Sequence, residues 1–169
     1  MKNTNPVATS VATTSSSVST FTVFDSLPDR QLTEHFNLRE FVISAAAVRR
    51  GIDNTPPADA VGRLEVLCRE VLEPLRRRFG VIRITSGYRC PQVNKLVGGV
   101  PTSQHVRGEA ADISLGSLEV GRKMYDYIRD NLDFDQLIFE RKRKTGARWL
   151  HVSYRSDGGN RRQAFEKVM

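Results

Sequence analysis

The residues able to do chemistry gather around the stretch SQHVRGEAADI, Ser103 to Ile113, where a histidine and an aspartate stand among small side chains with six residues between them. Further along, RWLHVSY adds His151. That stretch alternates as a strand does: Trp149, His151 and Ser153 share one face, opposite Leu150, Val152 and Tyr154. In EAADISL the same alternation sets Ala110, Asp112 and Ser114 on one face and turns Ala111, Ile113 and Leu115 toward a core. Two polar faces of one sheet can therefore bring His105, Asp112 and His151 together. Two imidazoles and one carboxylate are a common zinc set, leaving a fourth tetrahedral position for a water whose pKa the metal lowers toward about 7. The same three donors also serve non-haem iron. Spacing alone leaves open a third possibility, that all three are structural.

The elements that must position these residues follow from periodicity. LTEHFNLREFV, Leu32 to Val42, begins a short helix with Leu38, Phe41 and Val42 inward. His35 lies beside Phe36 there and reads as a structural residue rather than a ligand. After the Pro-rich turn DNTPPADA, residues Val61, Leu64, Leu67, Val71, Leu72, Leu75 and Phe79 recur at helical spacing, the main core helix, which Pro74 kinks or divides. VIRIT, Val81 to Thr85, alternates as a strand. A long irregular segment then carries the polar groups and closes in EAADISL. Residues 117 to 131 form a second amphipathic helix with Leu118, Val120, Met124, Tyr127 and Ile128 inward, and DQLIFE and RWLHVSY make an antiparallel hairpin. The order points to an α+β domain with a largely antiparallel sheet and flanking helices.

Composition sets the outer bounds. The chain's 169 residues suit one domain, and no apolar run is long enough to span a bilayer, which argues against a membrane partner. The first twenty residues hold ten Ser or Thr and lack the apolar region of a signal peptide, so residues 1–31 are expected to be a disordered tail. Net charge is +7, and residues 141 to 169 carry nine Lys or Arg against two acids, so the whole excess lies there. RKRK, Arg141 to Lys144, precedes a turn-like Thr145-Gly146 and is either a solvated hairpin tip or an attraction for an anionic polymer, nucleic acid or cell wall. The run has no interleaved aromatics for base stacking, which makes nucleic acid the lesser reading. Cys68 and Cys90 show no metal or disulfide spacing and are expected to be free thiols.

The stretch SGYRCPQVNKLVGGVPTSQHVRGEAADI resembles the signature of the zinc D-Ala-D-Ala carboxypeptidase family, matched here by Ser86, Arg89, Asn94, Gly98, Gly99, Ser103, His105, Gly108, Ala110 and Asp112. A terminal W-x-H, Trp149 to His151, completes a resemblance that runs from Phe36 to about Tyr154. It implies the hedgehog/DD-peptidase fold, an antiparallel sheet with the metal on one side. It also implies one zinc held by His105, Asp112 and His151, and peptide stems of peptidoglycan as substrate, with either a carboxypeptidase or an endopeptidase action. Arg89 matches the arginine that binds the substrate carbonyl or its oxyanion, a task suited to a permanently charged guanidinium; the alternative is a salt bridge. Ser103 matches a substrate-binding serine or shapes its turn.

One departure concerns the general base, which family members often place three residues before the final histidine. Arg148 stands there, and it cannot accept a proton. Glu140, at the end of the neighbouring strand, is the best substitute; the other role open to it is pairing with the basic turn. Glu109 is a weaker candidate, and Asp135 is expected to cap or end its strand. The expected organisation is a tail over 1–31, a zinc peptidase domain over 32–156 and a basic tail over 157–169. Alternatives are a non-catalytic wall-binding module that keeps the fold, and an iron enzyme. Without a signal peptide, action on the wall requires lysis, a holin or delivery in a virion, as in a phage lytic protein.

Overall fold

The computed structural model describes residues 29–169. The Ser/Thr-rich tail lies outside the described residues except at its end, where Gln31 already bridges Asn37 and the Arg30 carbonyl accepts the Leu38 amide. Asn37 then starts helix α1, Leu38–Val42, through a reciprocal capping box with Glu40. Helix α2, Ala45–Arg50, follows, and α3, Ala58–Leu67, opens the long core helix.

Pro74 has no N–H to donate, and its ring crowds the carbonyl one turn back. The chain widens to a π turn over Cys68–Leu72 before resuming as α4, Glu73–Phe79, so two α segments are joined end to end. Glu73 at this junction is buried and accepts both the His35 amide and His35 Nδ1 at 2.8 Å, stitching the N-terminal loop to the helix. Burial by itself would raise the Glu73 pKa, but the His35 hydrogen bonds hold it below the usual carboxylate value. His35, expected to be structural, thus ties the N-terminal loop to the core helix.

Short helices α5, Pro91–Leu96, and α6, Gln104–Arg107, lie within the long segment before the second strand, and α7, Leu118–Asn131, follows that strand. The buried stripe of α7 is Gly121, Met124, Tyr125 and Ile128, whereas Leu118 and Val120, expected inward, are exposed. Five strands form one sheet: β1, Arg83–Ser86; β2, Ala110–Ser114; β3, Gln136–Arg141; β4, Arg148–Ser153; and β5, Gln163–Val168. Their order is β1-β2-β4-β3-β5.

The first four strands pair antiparallel, but β5 runs parallel to β3, so the sheet is mixed. The sheet is still largely antiparallel, as expected, but part of residues 157–169, expected to be a basic tail, forms its edge strand. The segment looks polar because β5 buries little apolar surface; main-chain pairing to the edge of β3 and ion pairs of Arg161 with Asp135 and of Glu166 with Arg122 hold it. Ala111, Ile113, Leu137, Phe139, Leu150 and Val152 turn one sheet face onto a core shared with Leu64, Leu72, Leu75 and Ile128 of the helices. The opposite face carries the polar residues. Cys68 and Cys90 are free, and burial pushes the Cys68 thiol pKa up, leaving it an inert core group.

The ion pair anchoring β5 joins Arg161 to Asp135, which is fully buried just before β3; Nε and Nη2 donate at 2.9 and 2.6 Å. Burial opposes ionisation of Asp135, but the hydrogen bonds from Arg161 outweigh it and hold the carboxyl below its ordinary value. A depressed pKa contributes stability that is present above the unfolded value, about 4, and is lost as pH falls through the folded value. Asp135→Asn is therefore expected to lower stability at pH 7 by about 2 kcal/mol. Urea denaturation across pH should show the gap between variant and wild type closing toward the acid end.

Candidate metal centre

His105 sits in the single turn of α6, and Asp112 and His151 are direct cross-strand partners on β2 and β4. All three are buried, on the side of the sheet opposite the core helices α3, α4 and α7. Their donor atoms converge: His151 Nδ1 lies 3.0 Å from Asp112 Oδ1, His105 Nε2 lies 3.3 Å from the same oxygen, and the two nitrogens are 3.2 Å apart. A tetrahedral ion with bonds of about 2.0–2.1 Å spaces its donors by about 3.3 Å. The triangle is thus one face of such a polyhedron.

The chemistry of the donors fits a cation as well as the spacing does. His105 Nδ1 donates to the Gly87 carbonyl at 2.6 Å, which leaves its Nε2 lone pair aimed at Asp112 and His151. Three lone-pair donors facing one another need a positive charge between them, supplied by a metal or by protons. Burial raises the Asp112 pKa, but the two imidazoles outweigh it and hold the carboxyl well below the carboxylate range. Arg89 binds the outer oxygen, Oδ2, through Nη2 at 2.6 Å, while its Nε donates to Ser86 at 2.8 Å. Arg89 is therefore fixed by an ion pair to Asp112 and also faces the cleft.

The triad opens into a cleft of about 410 Å³ whose walls include Arg89, Glu140, Lys142, Trp149 and Lys167. Ile138 pairs with His151 and Glu140 with Trp149, so Glu140 is the diagonal same-face neighbour of His151. Arg148 stands an odd number of residues from His151, on the side of Leu150 and Val152. Glu109 is held by Arg107 at 2.8 Å and faces Arg63, outside the walls of this cleft.

The family model of peptidase M15 matches residues 34–153, the span that holds every one of these cleft residues except Lys167. The chain belongs to the peptidase M15 family. Its members are metallopeptidases, in keeping with the zinc D-Ala-D-Ala carboxypeptidase resemblance of the sequence. No curated protein matches the chain.

In this M15 peptidase Ser103 faces a second hollow, of about 390 Å³, on the other side of His151, shared with Gln104, Gln136 and Arg155. The two hollows meet at His151 and Gln136, so the triad lies in the middle of one groove. A second His/acid group, Glu34, His35 and Glu73, already has a cation beside it: Arg77 Nη2 lies 3.2 Å from Glu34 and Nε 3.9 Å from Glu73. Among the described residues no helix is long and apolar enough to cross a membrane.

Sequence reasoning missed Gly87 and Lys167, and took Lys142 only as part of the basic run. Gly87 passes so close to Phe41 that a Cβ would collide with it, and this approach aims its carbonyl at His105. Gly108, which ends α6 at φ +74, leaves no room for a Cβ against the Ala60 carbonyl of α3. Gly108→Ala is expected to cost roughly 2–3 kcal/mol in urea denaturation, combining strain and clash. Because the displaced turn carries His105, metal affinity measured by chelator competition should fall as well.

Proposed function

We propose that the chain is a zinc-dependent peptidase that hydrolyses an amide of peptidoglycan stem peptides, with His105, Asp112 and His151 as the metal ligands. The observation that carries this reading is the buried donor triangle with edges of 3.0 to 3.3 Å, set in a groove within the M15-matched span. The triad on the open face of a sheet, with helices behind, supports the hedgehog/DD-peptidase arrangement. When bound, zinc supplies Lewis acidity, polarising the substrate carbonyl and lowering the pKa of water.

The protein groups divide the remaining work. Glu140 takes a proton from the attacking water as the new C–O bond forms, then returns it to the amine nitrogen as the amide C–N bond breaks. Its place diagonal to His151 supports this role in a chain that carries Arg148 where family members often have the base. Arg89 orients Asp112 through Oδ2, so that Oδ1 is left to the metal, and stabilises negative charge on the substrate oxygen. Ser103, across His151, holds the peptide on the far side of the scissile bond.

A wall substrate also suits the cationic hairpin tip, whose exposed Arg141 to Lys144 region attracts an anionic polymer. Action there follows lysis, holin release or delivery in a virion, as for an endolysin. The roles of Arg89 and Ser103 favour peptide hydrolysis over iron chemistry, which has no use for them.

Metal analysis and release of new amino groups from purified peptidoglycan test the reading together. Wild type is expected to hold one zinc and release amines, and His151→Ala to lose both. Glu140→Gln should keep the zinc while its rate falls roughly 10²- to 10⁴-fold. Zinc without amine release in wild type would favour a wall-binding module, and a fully active Glu140→Gln would remove the base.

A further inference from the structure

A third hollow, of about 420 Å³, opens at the hairpin end of β3 and β4. Arg141, Lys142, Arg143 and Arg148 line it, together with Leu118 of α7 and Val168 of β5. Arg141 continues the row of Leu137 and Phe139, and Arg148 the row of Leu150 and Val152, so both stand on the helix side of the sheet, opposite the triad. Of the lining residues only Lys142 also lines the metal cleft.

Arg141 and Arg148 are direct cross-strand partners, and like charges so placed repel. Among the described residues no carboxylate lines the hollow to offset them. Glu166 reaches Arg141 at 3.6 Å, too long for a hydrogen bond, and is already bound by Arg122 at 2.8 Å. Arg141 Nε is buried and has no hydrogen-bond partner. Glu119, next to Leu118, is taken by Lys123 at 2.7 Å. Met169, whose carbonyl oxygen accepts the Arg143 amide, lines the metal cleft instead. Even if Glu166 and a terminal carboxylate at Met169 each cancelled one charge, two of the four cations would remain.

We propose that this hollow is an anion site for a phosphodiester-linked polymer of the cell wall, held between the paired guanidinium groups of Arg141 and Arg148 and by Arg143. A guanidinium presents a fork of N–H donors that matches two phosphate oxygens, and an anion between the two arginines relieves their repulsion. The stem peptide belongs to the groove on the opposite sheet face, so the anion taken here is carried by a second chain of the wall. No aromatic side chain lines the hollow, which leaves nucleic-acid bases without a stacking surface and favours a polyol phosphate. The wall as the source of the polymer rests on the peptidase reading; the anion site itself does not.

The full chain is titrated at physiological ionic strength with a labelled glycerol phosphate oligomer, a polyglutamate of equal charge and a single-stranded oligonucleotide of equal charge. Wild type is expected to prefer the glycerol phosphate. Arg143→Gln combined with Arg148→Gln should weaken its binding roughly tenfold and flatten the slope of log affinity against log salt by about 1 to 2. Arg49→Gln combined with Arg50→Gln removes the same charge from exposed positions of α2 and should leave binding nearly unchanged. Because the Arg148 substitution removes a like-charge pair, the urea midpoint should not fall, which separates lost binding from lost folding. Should it fall, Arg143→Gln alone, at the exposed hairpin turn, carries the test. Equal weakening by the two double variants, or none by the first, overturns the proposal. Tighter binding of the polyglutamate or the oligonucleotide overturns it too. Wild type that binds as expected but releases no amine from peptidoglycan counts against the peptidase reading alone. Amine release with binding indifferent to Arg143 and Arg148 counts against the anion site alone.

Discussion

The site depends on how one carboxylate divides its two oxygens. Asp112 Oδ1 faces the two imidazoles and Oδ2 faces Arg89, so the side chain is fixed from both ends before any ligand arrives. A buried carboxylate with a single partner could rotate or protonate, at a cost of several kcal/mol if left charged and uncompensated. With partners at both oxygens it stays ionised and aimed. The arrangement links metal occupancy to acidity, because protons and a metal compete for the same three lone pairs.

The scaffold supplies that geometry through two kinds of support. Asp112 and His151 need only correct sheet register, since they are opposite residues on adjacent strands. His105 is harder to place, because it comes from a single helical turn that cannot hold itself. Its turn is fixed instead by close approach: Gly108 packs on the Ala60 carbonyl of α3, and Gly87 packs on Phe41 while its carbonyl receives the imidazole N–H. Helix α3 keeps its line into α4 through the π turn before Pro74, so the wall behind His105 is continuous.

Much of this was legible in the sequence, for physical reasons that differ by element. Alternation in RWLHVSY and EAADISL showed which side chains share a face, because a half-buried strand writes its burial with period two. The triad and Glu140 followed from that alternation joined to the motif. Strand β5 was not legible: it buries little of its own side-chain surface, and its pairing is carried by backbone groups that every residue type possesses. Leu118 and Val120 misled for the opposite reason, being apolar residues in the first turn of α7 that the core does not cover. Gly87 carries no side chain to signal that its carbonyl matters.

The position of Glu140 shows how strand geometry constrains chemistry. Strand β4 carries Arg148 at the place where family members often have the base, and so offers no carboxylate of its own beside His151. A same-face carboxylate must come from the neighbouring strand, and the register Ile138 to His151 leaves Glu140 one diagonal step away. That dependence ties the role proposed for Glu140 to the β3–β4 register: a one-residue slip would turn Glu140 from the groove to the core. Strand β5 pairs along the whole of β3, with Arg161 anchored on the buried Asp135 at its start. The added strand therefore does two things at once, fixing the strand that carries Glu140 and bringing Lys167 to the wall beside it.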